Sequence, residues 1–181
     1  PDLLALIETA RRHRARLMVD EAHALGTIGP RGFGLAEHFS IDPGEVDIWM
    51  GTLSKTLAGA GGYIAARAAL IEYLKFTAPG FVYSVGMPPP LAAASLAALE
   101  ILRAEPERVA RLNRNAVRLR DGLSARGIDI GASAGKSIVP AITVSAIAAG
   151  RLADALFRRN INVQPILYPA VPERAARLRF F

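Results

Sequence analysis

Apolar positions at Leu3, Leu4, Ile7 and Ala10 recur at helical spacing, so the pattern predicts a helix across residues 2–14. The unbroken apolar run "RLMV" that follows reads as a short buried strand. A glycine-rich loop, "GTIGPRGFG", separates it from a second buried-strand candidate, "VDIWM", and a further glycine cluster precedes a third, "GGYIAA". An amphipathic helix is expected over residues 68–76. The segment "APGFVYSVGMPPP" reads as a proline-stiffened extended crossing whose last proline opens a long helix over 91–103.

Beyond Pro106 a second long helix is predicted through "ERVARLNRNAVRLRDGLSARG", with Gly127 as its C-terminal cap. "SIVPAITV" reads as a strand, "GRLADALFRRN" as a helix, "INVQP" as a short extended piece and "ARLRFF" as the start of a strand. Strands alternating with helices argue for an α/β protein, divided near the 88–104 helix. The chain opens on a helix with no strand before it and stops inside a strand-like run, so it is expected to be part of a longer protein.

Composition narrows the chemistry. The chain has 181 residues, 51% of them hydrophobic, which is enough to bury a real core. It has no cysteine, which excludes disulfides, thiolate metal sites and cysteine nucleophiles. Its most apolar stretch, "LAAASLAALEIL", carries Glu100 and is too short to span a bilayer. No membrane partner and a cytoplasmic setting are therefore expected. The formal charge of +6 comes largely from arginines at helical spacing, which read as solvated helix faces and not as a nucleic-acid groove. The charge also suits an anionic small molecule.

The stretch "LMVDEAHALG" raises a specific question, because Asp20-Glu21-Ala22-His23 is the signature tetrad of nucleic-acid-dependent ATPases. Such an enzyme needs a phosphate loop, G-x-x-x-x-G-K-[ST], leading from a strand into a helix. The nearest candidate, "GASAGKS" over 131–137, is one residue short between its glycines and lies downstream instead of upstream. It also runs into "IVPAITV", which is strand-like and carries Pro140 in the stretch a helix would have to occupy. It reads as a glycine turn before a strand.

A second stretch, "DIWMGTLSKTLAGAGGYIAA", supplies a better partner for Asp20. Lys55 follows a buried strand among small and apolar residues, a setting expected to desolvate its ammonium and free the amine for an aldehyde. Pyridoxal phosphate (PLP) chemistry needs a lysine for the Schiff base, a carboxylate for the pyridine nitrogen, donors for the phosphate and a group on the ring hydroxyl. Lys55, Asp20, Thr52 with Ser54, and His23 can fill these roles in turn. Glu21, His38, His13 and Trp49 are read as structural or exposed.

Four successive segments, "VDEAHALGTIGPRGFGLAEHF", "GTLSKTLAGAGGY", "FVYSVGMPPP" and "YPAVPERAARLRF", resemble landmarks of the α-oxoamine synthases, fold-type-I PLP enzymes. The resemblance covers nearly the whole chain. It implies an aspartate-aminotransferase-like fold: residues 1–87 as the C-terminal part of a large PLP-binding domain, 88–104 as a connecting helix, and 105–181 as an incomplete small α+β domain. It implies Lys55 as the Schiff-base lysine, Asp20 as the pyridinium partner, His23 near the ring hydroxyl and Thr52 as a phosphate ligand. Ser84 resembles a position that reaches the neighbouring subunit's phosphate in a homodimer. Arg179 resembles the arginine that grips the amino-acid carboxylate, with Arg177 and Arg174 as alternatives.

The implied activity is a PLP-dependent acyltransferase that condenses an amino acid with an acyl-CoA, releasing CoA and carbon dioxide. An aminotransferase, an aldolase-like lyase and a non-catalytic relative are the alternatives. The chain departs from the family in length, in lacking the N-terminal glycine-rich phosphate loop and stacking aromatic, and in carrying Ala24 where the family's serine follows the histidine.

Overall fold

The computed structural model describes residues 2–181, which fall into two compact units, Pro1–Ala110 and Arg111–Phe181. In the first, helix α1 (Leu3–Arg12) starts where the Asp2 carboxylate accepts the N–H groups of Leu4 and Ala5, and ends on Arg11 and Arg12, which suit the helix dipole. Strand β1 (Met18–Asp20) pairs in parallel with β2 (Ile48–Thr52), and β2 pairs antiparallel with β3 (Gly62–Ala66), giving the order β1-β2-β3. The connection between β1 and β2 carries a five-residue helix, α2 (Leu35–Phe39). Asp47 fastens the start of β2 by accepting from the Leu17 N–H and pairing with Arg16.

Strand alternation divides the sheet. Val19 and Trp49 face a core built from Leu3 and Ile7 of α1, Val46, and the α2 residues Leu35 and Phe39. Trp49 is buried, and its indole N–H donates to the Pro43 carbonyl at 2.9 Å. Met18, Ile48, Met50 and Ile64 lie on the other side of the pleat and line an apolar hollow of about 700 Å³ beside Ile71 and Phe81. The expected buried strand is thus packed into the core on its Trp49 face.

After β3 come α3 (Ala68–Thr77), α4 (Pro79–Val82) and α5 (Pro89–Ala104). The segment expected to be wholly extended instead contains the single turn α4, with Pro79 in its first turn, where its missing N–H costs nothing. Helix α5 likewise opens two residues earlier than the periodicity predicts, on Pro89 and Pro90.

Helix α6 (Glu107–Ser124) contains the division between the units. The second unit holds β4 (Val139–Ile142), α7 (Ala146–Phe157), β5 (Gln164–Ile166) and β6 (Arg177–Phe180), in an antiparallel sheet of order β4-β6-β5. Ser145 caps α7 through the Ala148 N–H, so the helix begins before the predicted "GRLADALFRRN" and absorbs Gly150. Leu178, 1% exposed, packs with Ala141 and Val163 against Leu123 and Leu156. Among the described residues no helix is long and apolar enough to cross a membrane, and no cluster of three His, Asp or Glu is placed to hold a metal.

Candidate functional site

Parallel pairing decides where the chemistry sits. Because β1 and β2 run the same way, with Asp20 opposite Met50, the turn after Asp20 and the turn after Thr52 emerge from the same edge of the sheet. Ligand sites in sheets of this kind form at the carboxyl ends of the strands. Asp20, His23, Thr52, Ser54 and Lys55 all lie at that edge.

The Asp20 turn is held by its own backbone. The Asp20 carboxylate accepts the Ala22 N–H at 2.7 Å, and the Glu21 N–H donates to the Met50 carbonyl, extending the ladder by one bond. The Ala24 N–H returns to the Glu21 carbonyl, which closes a turn that leaves Asp20 and His23 exposed and buries Ala24. Family resemblance expects a serine hydroxyl at this last position; here a buried methyl packs instead.

Glu21, the acid an ATPase would need, points the other way. It is buried, and its carboxylate accepts the Leu35 N–H at the start of α2. Helix α2 has no side-chain cap from its own N-cap residue, so a carboxylate fourteen residues upstream does that work. Gly34, at φ 89°, lies so close to this carboxylate that no Cβ would fit. Burial pushes the Glu21 carboxyl above the ordinary glutamate range, and the Leu35 N–H opposes the shift in part.

The folded chain therefore holds the Glu21 proton more tightly than the unfolded one. Its contribution to stability is complete below the ordinary glutamate pKa and is lost as pH rises through the raised value. Glu37 behaves oppositely. Burial raises it, but the guanidinium and N–H of Arg31 and the N–H of Phe33 outweigh that, leaving it lowered and stabilising above the ordinary range. Glu21→Gln keeps the acceptor for Leu35 and removes the charge, so its stability relative to the parent is expected to grow as pH rises from the ordinary glutamate range toward neutrality. Urea midpoints across that range measure it; an offset independent of pH would remove the assignment.

The lysine turn is anchored by its neighbours. Leu53 and Leu57 are buried on either side of exposed Ser54 and Lys55, and the Leu53 N–H and carbonyl pair with Gly61 and Gly59. The hydroxyls of Thr52 and Ser54 are 2.7 Å apart, and Thr52 also donates to the Gly61 carbonyl at 3.1 Å. Sequence reasoning expects Lys55 to be desolvated by small apolar neighbours. The structure corrects this: the apolar neighbours point into the unit, and the lysine points out of it. Tyr63 on β3 is half-buried with its ring over Gly51; burial raises its phenol, helped by the carboxylates of Glu21 and Asp20.

A second support was not foreseen. Ser95 of α5 is buried with its hydroxyl unpaired, and that oxygen sits where a Cβ on Gly59 would go. Gly59→Ala is expected to cost about 2 kcal/mol by overpacking. Ser95→Ala alone should be neutral or mildly stabilising, because it removes a buried hydroxyl without a partner. Combined, the two changes should recover most of the loss; simple additivity in denaturation midpoints would argue against the contact.

The remaining candidates belong to other elements. Ser84 is exposed after α4, and its hydroxyl accepts the Gly86 N–H at 3.2 Å. Among the described residues no hydrogen bond joins it to Thr52, Ser54 or Lys55. Arg179 belongs to the second unit, opposite Pro140 and Gln164, with its guanidinium 4.7 Å from the Phe181 ring. Arg177 turns back to the Ala175 carbonyl at 2.9 Å, and Arg174 is exposed. His38 stacks edge-on against Phe39, His13 is exposed at the end of α1, and "GASAGKS" is a turn that leads into β4 with no helix behind it. The donor set at the first unit's edge fits PLP: one lysine amine, one carboxylate and two hydroxyls beside an open glycine turn.

Comparison with known proteins agrees with this reading of the fold. The chain matches the aminotransferase class I and II family over residues 1–180. It is 44% identical over 178 residues to the putative 8-amino-7-oxononanoate synthase of Bordetella pertussis, a match covering 98% of this chain and 44% of that protein. Among solved structures, the serine palmitoyltransferase of S. paucimobilis with bound PLP–myriocin aldimine aligns at TM-score 0.91 and 27% identity, over 98% of this chain and 45% of its own. The 8-amino-7-oxononanoate synthase of Francisella tularensis aligns at 0.81 and 29%, over 97% and 51%. The chain thus spans about half the length of the relatives it matches. A match running through both units, together with α-oxoamine synthases as sequence and structural relatives, places it in the aminotransferase class I and II family, with the PLP-dependent transferase fold.

Proposed function

We propose that the protein to which this chain belongs is a PLP-dependent acyltransferase, condensing an amino acid with an acyl-CoA to an α-amino ketone with loss of CoA and carbon dioxide. The observation that carries this is the placement of Asp20 and Lys55 on adjoining turns at the carboxyl edge of parallel β1 and β2. The 44% identity to an 8-amino-7-oxononanoate synthase supports it.

When bound, PLP supplies an aldehyde for a lysine amine and a ring that stores the electrons of a carbanion. Asp20 holds a proton at the ring nitrogen, since a carboxylate favours the charged form of a neighbouring base. His23 would meet the ring hydroxyl, and the Thr52 and Ser54 hydroxyls would line the phosphate. Lys55 would hold the cofactor through its amine and would serve as the base for the amino acid's Cα proton. Arg179 binds the amino-acid carboxylate through a two-pronged guanidinium contact. Ser84 reaches a phosphate across a homodimer. In this reading residues 1–87 are large-domain, 88–104 connect and 105–181 are small-domain, and the enzyme acts in the cytoplasm.

Product analysis tests the proposal. A chain of the relatives' full length, given PLP, a small amino acid and an acyl-CoA, should release CoA and carbon dioxide in equal amounts. Transfer of the amino group to a keto acid without CoA release would assign an aminotransferase instead.

A further inference from the structure

Nothing in the proposed chemistry explains Thr56, yet its side chain makes a hydrogen bond between the two site-bearing turns. Its hydroxyl donates 2.8 Å to the carbonyl of Leu25, a residue of the turn that begins at Glu21 and contains His23. Its methyl and hydroxyl fill the space where a Cβ on Gly26 would stand, and Gly26 has φ 81°, so backbone and side chain are in direct contact. The Leu25 N–H returns to the Glu21 carbonyl, and the Gly26 N–H goes to the Gly32 carbonyl, so the Leu25–Gly26 peptide is itself fixed on its other side. The far end of the lysine turn is closed by the Ala58 N–H on the Lys55 carbonyl. A rigid path therefore runs from Asp20 and His23 through Leu25 to Thr56 and Lys55.

We propose that Thr56 is a positioning residue that clasps the lysine turn to the Asp20–His23 turn, setting the distance between the amine and the groups that receive the cofactor ring. The inference rests on the cofactor reading for its consequence but not for the clasp itself. Lys55 is exposed, so packing of its own side chain does not aim it. Its direction depends on the turn, and the turn is tied to the segment after β1 through β2, through this bond and through the Thr56–Gly26 contact. Small errors of placement matter in such sites, because productive geometry tolerates only fractions of an ångström.

The test compares Thr56→Val, which keeps the shape and loses the donor, with Thr56→Ser, which keeps the donor. In the 181-residue chain without PLP, amide hydrogen exchange over residues 24–27 and 55–58 should speed up about fivefold in Thr56→Val, the worth of one hydrogen bond. It should stay near the parent rate in Thr56→Ser. With PLP below saturation, borohydride-trapped cofactor at Lys55 should fall by a similar factor in Thr56→Val and be restored in Thr56→Ser. Parent-like exchange and trapping in Thr56→Val overturn the proposal, as does a Thr56→Ser chain as impaired as Thr56→Val. If Thr56→Val does not fold, Thr56→Ala is judged on the same two readouts. Absence of trapped cofactor in the parent chain counts against the cofactor reading alone, and the exchange rates then decide the clasp.

Discussion

Lys55→Ala should reduce the PLP fixed to the chain by borohydride at least tenfold. The chain has only three lysines, Lys55, Lys75 and Lys136, so peptide mapping separates them without ambiguity. Lys75 is paired with Glu72 at 2.6 Å on exposed α3, and Lys136 lies in the turn before β4. Neither has a carboxylate and two hydroxyls presented from the same sheet edge. An aldehyde reacts slowly with any free amine, but retention of the adduct needs the phosphate and ring to be held. Lys75→Ala and Lys136→Ala should therefore leave labelling close to that of the parent. If Lys55→Ala keeps half or more of the label, the cofactor assignment fails.

Asp20→Asn should separate binding from turnover. Asparagine can accept the Ala22 N–H as aspartate does, so the turn should keep its shape and Lys55 should still be labelled. What disappears is the charge. Without a carboxylate beside it the ring nitrogen loses stabilisation of its proton, and a loss equivalent to two pKa units lowers turnover about a hundredfold. Steady-state rates in a chain of the relatives' full length, with labelling as the control for binding, measure this. Activity within twofold of the parent would mean that Asp20 does not face the ring.

The elements that the chain's pattern revealed and those it hid differ in a physical way. Helices α1, α3 and α7 follow from periodicity, because each has enough residues for an apolar face to repeat, and β2 and β3 follow from short apolar runs beside glycine clusters. Helix α2 has five residues and starts at a glycine without a cap, and its capping carboxylate, Glu21, comes from fourteen positions upstream. No local window contains that bond. The turn α4 was hidden for a different reason, since Pro79 and Gly80 read as breakers although a proline is well placed in a first turn.

The candidate site was legible in identity and not in environment. Lys55, Asp20 and His23 stand out as chemical types in order, and the turn nature of "GASAGKS" follows from Pro140. That Lys55 is exposed, however, depends on Leu53 and Leu57 turning inward, which a run of small residues does not announce. Thr56 and Ser95 were invisible because their partners, Leu25 and Gly59, are 31 and 36 positions away. One-dimensional patterns record which residues are apolar, and a single hydroxyl crossing between two turns leaves no trace in them.

Trp49 is the chain's one tryptophan, and it is enclosed in the core beneath β2 with its indole N–H spoken for. Its emission consequently reports on the core of the first unit, whereas the helical signal in circular dichroism sums α1 to α7. Two melting curves from one cuvette, optical and chiral, thus give a direct measure of whether the two units let go together or in turn.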